Sequence, residues 1–174
     1  MMPTQAKHER PACLIRAFTL VESVISLVIV GVMLVAALNT VGASRLSQYK
    51  TSTRAQGRLL AESLLAEIFT QRYADPNGAA LFGVEVGEDD DTREAFDDVD
   101  DYHTWTSSPP TEKTGAEMAS WGGWQRSVTV EWVDPADPAL VQGTESLAKR
   151  ITVKVHYRGM PVATLVAIKT DWEP

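Results

Sequence analysis

Glu22 is the one charged residue between Phe18 and Leu38, a stretch of 21 residues reading FTLVESVISLVIVGVMLVAAL. An ionised carboxylate in an apolar medium costs several kcal/mol unless it is paired, so an acid in such a run is a functional candidate. The run itself contains no lysine or arginine to pair with it. Cutting the chain just before Phe18 would make a partner. The new α-amine would lie four residues from Glu22, the spacing at which groups meet on a helix. The chemistry predicted is an ion pair between a processed terminus and a carboxylate.

A second concentration of charge runs from Glu85 to Asp101, where ten acids face a single base, Arg93. That density marks either a solvated, self-repelling loop or a site for a hard cation such as calcium. Asp97, Asp98, Asp100 and Asp101 are the acids a calcium site would use, although the EF-hand spacing with its central glycine is absent. His103 and His156 are the candidates for a general base or for metal ligands. His156 falls opposite Val153 and Val155 in an alternating strand, and His103 has no nucleophile pattern beside it. GxSxG, HExxH, P-loop and GxGxxG signatures are all missing, so the chain reads as a non-enzyme with no cofactor beyond the calcium just considered. Cys13, the only cysteine, rules out an intrachain disulfide and a CxxC zinc knuckle.

The element that positions Glu22 is a helix. At about 1.5 Å rise per residue, a 21-residue helix spans about 30 Å, the thickness of a bilayer core. A secretory signal peptide is the competing reading, but its apolar stretch runs to only about 7–15 residues before a small-residue cleavage site. Lys7, Arg10 and Arg16 precede the run while Arg45, Lys50, Arg54 and Arg58 follow it, so flanking charge does not set its orientation.

The string RA-FTLVESVISLVIVGVMLVAAL resembles the leader and N-terminal helix of type IV pilins and type II secretion pseudopilins. The likeness covers about the first 60 residues of the chain. It implies that residues 1–17 are a leader, that a prepilin peptidase cuts between Ala17 and Phe18 and N-methylates Phe18, and that Thr19 and Glu22 stand at the head of the mature helix. It further implies residence in the inner membrane as a single-pass protein with a periplasmic head, followed by extraction into a filament by an inner-membrane assembly platform. There Glu22 would meet the amine of a neighbouring subunit. Such proteins usually carry glycine before the cut; Ala17, the next smallest residue, implies processing that is retained but slower. FDDVDDYHTW, residues 96–105, is similar to a segment of minor pilin-like proteins of the mannose-sensitive haemagglutinin pilus type.

Past Leu38 no proline interrupts the chain until Pro76, and Leu46, Tyr49, Leu60, Leu64 and Ile68 recur at helical spacing. The expected organisation is therefore a transmembrane or filament-core helix over 18–42 and an amphipathic continuation over 43–73. Leu60, Leu64 and Ile68, with Leu59 and Phe69 beside them, should lie under a sheet. Gly57 is a candidate soft spot. ADPNG at 74–78 carries turn chemistry, and residues 74–123 read as an acidic connector whose acids stay in water while Tyr102 and Trp105 anchor it. Period-2 alternation marks strands at 124–133, 150–157 and 162–170, the last two a hairpin across RGMP. The fold class predicted is α+β: a long N-terminal helix on a small antiparallel sheet over 124–170, which is the pilin fold.

Composition adds boundaries. With 16 Lys and Arg against 23 Asp and Glu, the formal charge is −7, so the chain lacks the basic footprint of a nucleic-acid binder. The partners expected are the peptidase/methyltransferase, other pilin or pseudopilin subunits and the lipid bilayer. The alternative class is a membrane-anchored periplasmic receptor, which would keep its leader and tolerate Glu22→Ala.

Overall fold

A computed structural model describes residues 19–76, 82–85, 88 and 92–171. Ala17, Phe18 and the leader lie outside the described residues. The chain divides into two units, Met1–Ser47 and Gln48–Pro174, and one helix, α1 (Leu20–Phe69), contributes to both.

In the first unit, every described side chain is exposed. Leu20, Val21, Ile25, Ile29, Val30 and Met33 are all more than half accessible, and at 3.6 residues per turn they point in every direction around the helix. A helix apolar on all sides is at home only in apolar surroundings, and this one is long and apolar enough to cross a membrane.

In the second unit the same helix becomes one-sided. Gly57, Leu60, Ala61, Leu64 and Ile68 are buried, a stripe at i, i+3, i+4, i+7 spacing. Leu59 and Phe69, expected beside that stripe, are exposed instead, at 63% and 43%. They fall off the narrow face, and the small residues Gly57 and Ala61 take the contact. The helix passes Gly57 without a break.

The helix ends at Phe69, short of the expected Tyr73. Its last turn tightens through Thr70 N and Gln71 N, which donate to the carbonyls of Glu67 and Ile68 at 3.1 Å. Lys169 Nζ donates to the carbonyl of Gln71, so a cation from the sheet satisfies the freed end. Arg72 then pairs with Asp98 as an isolated bridge.

Four antiparallel strands follow in chain order: β1 (Thr106–Ser107), β2 (Trp124–Trp132), β3 (Ala148–Tyr157) and β4 (Met160–Thr170). β1 was not expected; it is two residues long and lacks any alternation a sequence pattern could display. Val128 pairs with Val153 and Val130 with Ile151, placing their side chains on the face that packs with Leu60, Leu64 and Ile68. The β3–β4 hairpin turns at Arg158 and Gly159, with φ of 50° and 77°. Two consecutive positive φ values make a type I′ turn, whose twist matches that of the strands.

Candidate functional site

At the start of α1, Glu22 N donates to Thr19 Oγ1 at 3.3 Å and Ser23 N to the Thr19 carbonyl at 3.2 Å. Thr19 is thus the N-cap and Glu22 the N3 residue of a T-x-x-E start signal. An acid in the first turn also favours the positive end of the helix dipole. The signal stood in the sequence beside the charge-pairing pattern; Glu22 has a local role as well as any role with a distant amine.

The connector is the largest departure from expectation. Tyr102 and Trp105 do anchor it, both buried in the core. Its acids, however, do not all stay in water: Asp98, Asp100 and Asp101 are 2%, 4% and 1% exposed. The physical reason is supplied by the strands. Arg126 lies in phase with Val128 and Val130, and Lys149 in phase with Ile151 and Val153, so both cations point into the core and need partners. Lys149 Nζ pairs with Asp100 Oδ1 and donates to the Tyr73 carbonyl. Its ammonium also sits 4.4 Å from the centre of the Tyr73 ring.

A second buried network joins the connector to the helix. Arg93, 1% exposed, grips Glu67 with two bonds, Nε to Oε1 at 2.8 Å and Nη2 to Oε2 at 3.1 Å. Tyr102 Oη donates to the same carboxylate at 3.0 Å. Arg93 and Arg126 both donate to the Thr111 carbonyl and stack on Trp105, 4.2 Å and 5.7 Å from the ring centre. Burial alone would raise the pKa of Glu67, but the bonds and charge of Arg93 outweigh it and hold Glu67 below the usual carboxylate range. Burial, with Arg93 close by, pulls Arg126 down to about 10.

Comparisons with protein families, with characterised proteins and with solved structures found no match to this chain. Its function must be argued from its own residues.

Of the four acids singled out for calcium, the structure gives three, Asp98, Asp100 and Asp101, a backbone or ion-pair task. Asp98 Oδ1 accepts from the amides of Asp100 and Asp101, at 2.7 Å and 3.3 Å, and so shapes the single 3₁₀ turn Asp100–Tyr102. Asp101 Oδ2 accepts from the amides of Asp97 and Asp98, at 2.9 Å and 3.0 Å. Asp100 is committed to Lys149. Among the described residues, Asp101 alone of the four belongs to a convergent carboxylate group, and its companions there are Glu85 and Glu88. Spacing in the chain could not reveal that set, because a fold of the connector brings residue 85 against residue 101. Burial, the Glu88 carboxylate and the Asp101 charge push Glu85 up to about 7. Burial raises Asp101 to about 6, against the pull of the two backbone amides.

Beside Asp101 lies a cavity of about 430 Å³, bordered by Phe82, Val84, Phe96, His103 and Trp105. His103 Nδ1 accepts from Val130 N at 3.3 Å, and the ring meets Phe82 edge-on at 5.1 Å. It joins the connector to β2. His156 lies half-buried on β3, away from His103's surroundings in register, opposite Gln125.

Proposed function

We propose that this chain is a structural, non-enzymatic subunit of the pilin class, a minor pilin or pseudopilin assembled into a type IV pilus-like or type II secretion filament. The observation that carries the reading is the FTLVE string, Phe18 to Glu22, at the head of a helix whose first part is apolar on every side. The one-sided second part of α1 on an antiparallel sheet supports it as the layout of the pilin fold. In this reading residues 1–17 are removed by the prepilin peptidase, Phe18 becomes the methylated terminus, and the subunit waits in the inner membrane with its head in the periplasm. The bilayer tolerates Glu22 because the Phe18 amine neutralises it. In the filament the carboxylate exchanges that partner for the amine of a neighbouring subunit, which sets the axial register.

N-terminal sequencing and intact-mass measurement of the membrane-extracted protein test the reading directly. A chain beginning at methylated Phe18 is expected; one retaining residues 1–17 would favour the anchored-receptor alternative. Glu22→Ala should leave membrane insertion intact and reduce incorporation into sheared filaments at least tenfold. Equal recovery of mutant and wild-type subunits would overturn the role given to Glu22.

A further inference from the structure

We propose that Glu85, Glu88 and Asp101 form a calcium site that locks the acidic connector onto the head. One carboxylate oxygen from each of the three lies within 4.8 Å of the others. Calcium binds oxygen at about 2.3–2.6 Å, so oxygens on opposite sides of one ion stand about 5 Å apart, and these three are close enough to share it.

The independent observation is the state of the buried oxygens. Asp101 is 1% exposed, and its anchoring bonds use Oδ2 alone. Its Oδ1 is buried and has no hydrogen-bond partner, and Glu85 Oε1 is in the same condition. A buried carboxylate oxygen without a donor carries an uncompensated desolvation cost. Two such atoms among three like charges call for a cation. Among the described residues, this group bonds to backbone amides and not to a lysine or arginine.

The ligand geometry is already held in place. Glu85 N donates to Glu88 Oε2 at 3.0 Å while Glu88 N donates to the Glu85 carbonyl at 3.2 Å, so the two residues are tied together in both directions. Asp101 is fixed by the 3₁₀ turn and the two amides. An all-oxygen set without nitrogen or sulfur selects a hard ion over zinc or copper. Calcium's larger, flexible shell accepts three carboxylates with water in the remaining positions, whereas magnesium demands a near-ideal octahedron and sheds water reluctantly. The site ties residues 85 and 88 to the turn that presents Asp100 to Lys149, and it does not depend on whether the chain enters a filament.

The test uses the full chain in detergent micelles, stripped with EGTA and titrated with calcium chloride in a calorimeter. One saturable site is expected. With calcium about a hundredfold above its Kd, Tm should rise by roughly 5–10 °C over the EGTA sample. Magnesium at the same concentration should give less than half that shift. Glu88→Gln keeps an oxygen for the Glu85 amide and should weaken calcium binding at least tenfold with an unchanged circular dichroism spectrum. Asp101→Asn, which also perturbs the turn, is the second variant; Glu88→Gln decides if that one misfolds. Absence of saturable calcium binding to the wild type, equal calcium affinity in Glu88→Gln, or equal stabilisation by magnesium would overturn the proposal.

Discussion

Lys149 shows what a single inward-facing charge demands. Its ammonium and the Asp100 carboxylate are 2% and 5% exposed, so neither has water as a fallback. Removing one partner of such a pair leaves the other as a bare buried charge, which costs far more than the pair contributes. Lys149→Ala should therefore destabilise the head by roughly 3–5 kcal/mol. The double variant Lys149→Met with Asp100→Asn should recover much of that loss. Urea unfolding of Lys149→Met, Asp100→Asn and the double variant completes the cycle; strictly additive losses would show that the two groups do not interact. Glu67 and Arg93 follow the same logic with better geometry, since two parallel bonds and a tyrosine hydroxyl satisfy the carboxylate.

At the scale of the element, α1 is one helix under two regimes. Up to about Val41 it offers apolar side chains all round, while from Gly57 onward a narrow stripe is buried and the rest faces water. Gly57 marks where that stripe begins, and the reason for glycine is contact. A β-carbon there would lie 2.7 Å from Val162 Cγ2 and 3.3 Å from the Trp124 ring. Alanine gains about 1 kcal/mol in helix propensity. Overpacking against a stiff β-branched valine costs about 1–3 kcal/mol, and at 2.7 Å the clash wins. Gly57→Ala should lower stability by up to about 2 kcal/mol, and adding Val162→Ala should restore most of it. A gain in the urea midpoint for Gly57→Ala alone would mean that the helix and β4 can separate freely. The type I′ turn at Arg158–Gly159 is the other place where backbone geometry selects the residue.

At the scale of the whole molecule, buried acids of opposite tendency set the pH response. Glu85 and Asp101, at about 7 and about 6, hold protons in the fold that the unfolded chain has already released. Their contribution is present at low pH and is lost as pH rises through those values. Asp98, pushed up to about 8 by burial and then by Asp100, acts in the same direction. Glu67, held low by Arg93, works the other way and loses its contribution as pH falls below the ordinary carboxylate range. In EGTA, the urea midpoint of the full chain should therefore peak near pH 5 and decline toward pH 8. Calcium should reverse the decline, because its ligands bind deprotonated. A midpoint that rises steadily from pH 5 to 8 in EGTA would contradict the arrangement of these acids.

The sequence by itself determined the long helix, its membrane-length apolar head and the three principal strands, because each rests on periodicity among near neighbours: period 3.6 for Leu60, Leu64 and Ile68, period 2 for Val128 and Val130. It also carried Thr19 and Glu22, adjacent on the first turn. Only the tertiary structure decided the fate of the acidic connector. Arg126 and Lys149 sit at inward positions of their strands, which announces that anions must come to them, but no local pattern says which ones. The partnering of Lys149 with Asp100, of Arg93 with Glu67, and of Glu85 and Glu88 with Asp101 depends on loop closure across the head. Burial then converts charge from a solvated surface property into a specific contact.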